Sequence, residues 1–106
     1  MKTILIPVFN KRISSRLDCT ENFQLIKVDN DSVKSIETVK HLAKNQLDEL
    51  NFILSIKPDT IICNGITDFY TNELSKNRIS VIPWVHGQLE EVVQNFLTGK
   101  LAIKNY

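Results

Sequence analysis

The hydrophobic period of this chain changes once, near residue 40, and that change limits the folds open to it. Before it, apolar residues follow strand spacing; after it, helical stripes alternate with short apolar runs. Thr3 to Phe9 is a compact Ile- and Val-rich run. Phe23 to Asp29 alternates Phe23 and Leu25 against Gln24, then Ile26 and Val28 against Lys27 and Asp29, with one slip. Asn30-Asp31 suits a tight turn. Ser32 to Thr38 then alternates Val33, Ser35 and Glu37 against Lys34, Ile36 and Thr38. Three such segments predict an antiparallel meander.

Beyond residue 40 the spacing is that of a helix. Leu42, Gln46, Leu50, Ile53 and Leu54 form an apolar stripe, with Lys44, Asn45, Asp48, Glu49 and Asn51 facing solvent and Pro58 ending the run. Thr60 to Cys63 is short and apolar, as in a central strand covered on both faces. Asp68 to Asn77 predicts a second helix, with Phe69 or Tyr70 and Leu74 inward. Ser80 to Trp84 predicts another buried strand. Gln88 to Thr98 predicts a third helix, with Leu89, Val92, Val93, Phe96 and Leu97 on one stripe and Gly99 as its cap. Lys100 to Tyr106 carries no assignment.

The element order is therefore β-β-β-α-β-α-β-α. The expected fold is α/β: a mixed five-stranded sheet of order 3-2-1-4-5, strand 2 antiparallel to the rest, with helices on both faces. That is a ribonuclease H-like arrangement. A chain of 106 residues without repeats or Pro/Gly-rich linkers predicts a single domain spanning 1–106. At this length about 65% of the extended surface is buried on folding, enough for an independent core.

Charge and hydropathy exclude several classes. A formal net charge of +1 offers no field for nucleic acid or an anionic membrane. No apolar stretch approaches the roughly 18 residues of a membrane span, and the N-terminus does not read as a signal peptide. Cys19 and Cys63 are not in a C-x-x-C pair, and without a secretion signal they read as reduced thiols of a cytoplasmic protein.

Between the first two strands lies a polar loop with Arg12, Ser14, Ser15, Arg16, Asp18 and Cys19. It is longer and richer in functional groups than a connector requires. In the expected topology strands 1 and 4 are neighbours, and a crevice opens at their carboxyl ends. The loop meets there the turn after strand 4, with Cys63, Asn64 and Gly65, and the turn after strand 5, with Trp84, His86 and Gly87.

The chemistry of that rim favours an anionic guest. Arg12 and Arg16 offer forked donors to phosphate, sulfide or carboxylate. Gly65 allows close backbone approach just before a helix start, where free amide hydrogens suit an anion. Cys19, Cys63 and His86 form an incomplete soft-metal set. Each residue also has a structural reading. Cys63, ending a buried strand, suits a small hydrophobe; His86 suits a turn cap; His41 suits a solvated junction. Trp84 suits core or pocket wall, Arg16 suits a pair with Asp18, and Gly65 and Gly87 suit backbone geometry alone.

Catalysis is less well served. A ribonuclease H-like nuclease needs clustered carboxylates for two magnesium ions, and Thr3 to Phe9 contains none. There is no P-loop and no G-x-G-x-x-G motif. Cys19 has no local base to activate it as a nucleophile. The chain is expected not to be an enzyme.

The segments IPVFNKRISSRLDCTENF, ICNGI and IPWVHGQLEEVVQNFLTGKL resemble the dinitrogenase iron–molybdenum cofactor biosynthesis family, which includes NifX- and NafY-like proteins, the NifB C-terminal domain and small stand-alone members. The resemblance runs from Met1 to about Leu101. Its marks are the Ser-rich loop ending in Asp18-Cys19, the glycine turn at Gly65, and the Trp84–Gly87 turn followed by Glu90-Glu91. The resemblance implies a ribonuclease H-like fold that carries an iron–sulfur or iron–molybdenum-type cluster or its precursor without catalysis. On that reading Arg12, Ser14, Ser15, Arg16, Asp18, Cys19, Asn64, Gly65, Trp84 and Gly87 contact the guest, and Cys19, Cys63 and His86 are candidate metal ligands. The alternative is a module, monomeric or a homodimer through a strand edge, that takes a small anion and no cluster.

Overall fold

The computed structural model describes residues 2–17, 20–30 and 32–99. Asp18, Cys19, the Asp31 half of the expected turn and the tail from Lys100 lie outside the described residues. The elements in chain order are β1 (Lys2–Phe9), β2 (Arg12–Ile13), β3 (Asn22–Asp29), β4 (Ser32–Lys40), α1 (Gln46–Ile56), β5 (Thr60–Ile62), α2 (Asp68–Lys76), β6 (Ser80–Ile82) and α3 (Leu89–Leu97).

Among the described residues the sheet has six strands, not the expected five. Its order is β4-β3-β1-β5-β6, with β2 off that path and paired only to β1. The added strand comes from the segment expected to be loop. Asn10 and Lys11 both take left-handed backbone angles, φ 50° and 65°, the geometry of a two-residue hairpin turn. Arg12 and Ile13 then return antiparallel along Phe9 and Val8. Val8 pairs with Asn22 of β3 on its other side, so β2 occupies the flank that β5 leaves open after Leu5 pairs with Ile61. β3 runs antiparallel to β1 and β4 antiparallel to β3, while β5 is parallel to both β1 and β6.

Strand alternation divides the core in two. Leu5, Phe23, Ile61 and Val81 face one side and pack with Leu50 and Ile53 of α1 and Tyr70 and Leu74 of α2. Ile4, Ile6, Val8, Ile26, Val28, Ile62 and Ile82 face the other and pack with Val92 of α3. Helices therefore cover both faces, and the slip within β3 is a strand apolar on each side.

Several details of the sequence reading change or resolve for local reasons. Asn45 caps α1, accepting the Asp48 amide at 2.9 Å; Leu42 thus precedes the helix and is 72% exposed. Glu49, expected to face solvent, is buried at 1% exposure. It sits in the first turn of α1, where the helix dipole favours a carboxylate. In α2, Tyr70 is the inward aromatic; its hydroxyl donates to the Gln46 carbonyl at 2.9 Å. β6 stops at Ile82, before Pro83 and Trp84. No helix among the described residues is long and apolar enough to cross a membrane.

Candidate functional site

Three connections meet at the carboxyl ends of β1, β5 and β6, and backbone hydrogen bonds join them. The Gly65 amide donates to the Ser15 carbonyl at 2.8 Å, and the Leu17 amide returns to the Gly65 carbonyl at 3.0 Å. The Ile13 amide donates to the Gly87 carbonyl at 3.0 Å, and the Leu89 amide to the Lys11 carbonyl at 3.0 Å. The turns are joined to each other as well: Trp84 donates to the Asn64 carbonyl at 3.0 Å and Val85 to the Cys63 carbonyl at 2.9 Å. Arg12 thus lies beside Gln88, and Arg16 beside Gly65.

Two apolar side chains hold the segment down. Ile13 is buried in the core beneath α3, and Leu17 in the core beneath α1 and α2. Ser14 sits between them, its amide bonded to the Pro7 carbonyl at 2.9 Å and its hydroxyl donating to the Arg16 carbonyl at 3.2 Å. The sequence signal for these anchors is an apolar pair four residues apart, enclosing Ser14, Ser15 and Arg16. Thr20 is a further anchor, its buried hydroxyl donating to the Asn22 carbonyl at 3.2 Å. With Val8, Phe9, Ser14, Glu21 and Asn22 it lines a cavity of about 200 Å³.

The predicted site residues divide by exposure. Arg12, Ser15, Arg16, Trp84 and His86 are exposed, and Ser14, Asn64, Gly65 and Gly87 are half-buried. Cys63 is fully buried among the residues of the α1 and α2 core. Burial pushes its thiol up to about 12, so it is a protonated core side chain at neutral pH. Among the described residues no three His, Cys, Asp or Glu side chains gather as a metal site. Arg12 and Arg16 stand exposed on the segment joined to these turns, and guanidinium chemistry suits an anion.

The close approach expected at Gly65 is present, and its amide is spent on the Ser15 carbonyl. The glycine is needed for approach: a Cβ there would lie 2.7 Å from the Ser15 carbonyl oxygen. Trp84 is neither core nor enclosed wall. It is 61% exposed and left-handed at φ 63°, a conformation that costs a non-glycine residue roughly 1–2 kcal/mol. His41, expected to be solvated, stacks on Phe52 with ring centroids 4.2 Å apart and lies 3.5 Å from the Asp48 carboxylate. Asp48 is held below the usual carboxylate range, chiefly by the Lys44 amide.

Fold and rim together define a small α/β protein that presents two arginines at the carboxyl end of a mixed sheet. No family model matches the chain, and no curated protein matches it. Solved structures do share its fold. A protein named PH0822 superposes with a TM-score of 0.87 at 24% identity, over 96% of this chain and 94% of that one. A Methanocaldococcus jannaschii protein, MJ0327, provisionally described as a dinitrogenase, gives 0.82 at 19% identity, over 98% and 95%. The apo form of the orange protein from Desulfovibrio gigas gives 0.78 at 16% identity, over 98% and 93%. At these identities the likeness establishes the fold.

Proposed function

We propose that this protein is a non-catalytic cytoplasmic carrier for an iron–sulfur or iron–molybdenum-type cluster, or its precursor, held at the rim that carries Arg12 and Arg16. It is read as a single-domain, ribonuclease H-like member of the iron–molybdenum cofactor biosynthesis group. The observation that carries the proposal is the anchored loop. Arg12 and Arg16 stand on a segment fastened to both turns and to both cores, so their backbone positions require little ordering when an anion binds. Such a cluster is bulky and anionic. The fold shared with a protein described as a dinitrogenase, and with one named in an apo form, is in keeping with this reading.

In this reading the guest is cargo. Guanidinium contacts hold its charge, Ser14, Ser15 and Asn64 offer further polar contacts, and Cys19 supplies a thiolate. His86, exposed near the same turn, is the second candidate ligand. Few covalent ligands suit a protein that must release what it holds. The test is anaerobic addition of iron and sulfide to wild type and Cys19→Ala. Loss of visible absorption and bound iron in the variant is expected; equal loading of both removes Cys19 as ligand.

A second reading is favoured by β4. This edge strand is exposed along nearly its whole length. The ladder skips Lys34 between Lys27↔Ser35 and Val28↔Val33, which brings Val33 and Ile36 to the same face. An unpaired edge of this kind suits pairing with a second copy, although the bulge and its lysine oppose it. Sedimentation over a concentration series tests this reading, and a monomer at every concentration removes it.

A further inference from the structure

The rim carries opposite charges on its two sides. Strand alternation places Leu5, Pro7 and Phe9 on the α1 and α2 side of the sheet, where Leu5 joins that core. Arg12 lies directly opposite Phe9, so it stands on that side too, next to the hairpin residue Lys11. Ile13, which follows it, is buried on the α3 side. α3 starts at the same end of the molecule, because the Leu89 amide donates to the Lys11 carbonyl at 3.0 Å. Its first turn carries Glu90 and Glu91, both exposed. Among the described residues Lys11, Arg12, Glu90 and Glu91 enter no ion pair. Two large apolar side chains are open at this end as well: Phe9 is 67% exposed and Trp84 61%.

We propose that this rim is the interface of a homodimer, in which two copies of the chain meet end to end. A two-fold axis lying in the plane of the sheet, across its strands, sets the α1 and α2 side of one rim against the α3 side of the other. Lys11 and Arg12 of each copy then face Glu90 and Glu91 of the partner subunit. The pairing occurs twice, which is the self-matching pattern an isologous contact requires. Opposed charges of this kind select the partner and its orientation, while Phe9 and Trp84 supply apolar contact area. The contact is separate from the β4 edge and does not depend on the carrier reading.

The test is sedimentation equilibrium of the full chain over a concentration series, at low and high salt. It compares wild type, Lys11→Glu with Arg12→Glu, Glu90→Lys with Glu91→Lys, and an equal mixture of the two double variants. Wild type is expected to shift from monomer to dimer as concentration rises, with weaker association at high salt. Each double variant alone is expected to associate about tenfold more weakly, because like charges then face each other. The mixture is expected to associate at least as tightly as wild type, since every contact again joins opposite charges. That recovery also shows both variants to be folded. A wild type that is monomeric throughout overturns the inference, and a wild-type dimer indifferent to salt overturns it without recourse to the variants. A dimer that survives either double reversal overturns it by putting the contact elsewhere, and a mixture no tighter than its components does so as well. The readout involves no metal, so its failure leaves the carrier reading untouched.

Discussion

The Gly65 amide donates to the Ser15 carbonyl at 2.8 Å, and a Cβ on Gly65 would lie 2.7 Å from that same oxygen. The absent side chain and the hydrogen bond are therefore one feature. It fastens the loop after β2 to the turn after β5, and so sets where Arg16 stands. Gly65→Ala forces the two backbones apart. The expected cost is about 1–3 kcal/mol, read as a lower urea midpoint, together with weaker anion binding. A variant as stable as wild type would contradict the close approach.

Cys63 gives a pH prediction with a definite sign. Its folded-state value, about 12, lies above the ordinary 9.0. A raised value means that this contribution is fully present below pH 9 and is lost as pH rises toward the folded value, because the unfolded thiol ionises first. Wild type is expected to lose stability above pH 9 more steeply than Cys63→Ala, by about 1.4 kcal/mol per pH unit. Denaturant midpoints between pH 8 and 11 check this, with the variant cancelling the other titrating groups. Parallel profiles would mean that Cys63 is accessible in the folded chain.

Arg12 is exposed, so its truncation is expected to change stability by less than about 0.5 kcal/mol. Binding is another matter. Each Arg→Ala change is expected to weaken anion affinity about tenfold, the worth of one charge-assisted contact. The loss should shrink at high salt as screening removes the same attraction. Calorimetry at two ionic strengths reads both effects. Unchanged affinity in the double variant would place the anion elsewhere.

The sequence was most legible where burial and period coincide. β1, β3, β5 and the stripes of α2 and α3 announce themselves because one spacing of apolar residues satisfies each. The convergence of the three connections followed from topology alone. The β1–β2 hairpin was hidden: its turn is Asn10-Lys11, and a lysine at φ 65° lacks the glycine that normally marks such turns. Ile13 and Leu17 read as parts of a polar loop because their partners belong to two different cores. Glu49 looked solvent-facing because residue type says nothing about a cap that rotates the first turn of a helix. Trp84 looked internal because aromatic residues usually are, and only a backbone angle reveals otherwise.

The most direct measurement is elemental analysis of the full chain purified without air, before and after anaerobic addition of iron and sulfide. The account predicts iron and acid-labile sulfide near one cluster per chain, with or without molybdenum, and their loss when Arg12 and Arg16 are both replaced by glutamate. Metal and sulfide at buffer level in wild type under both conditions would contradict it.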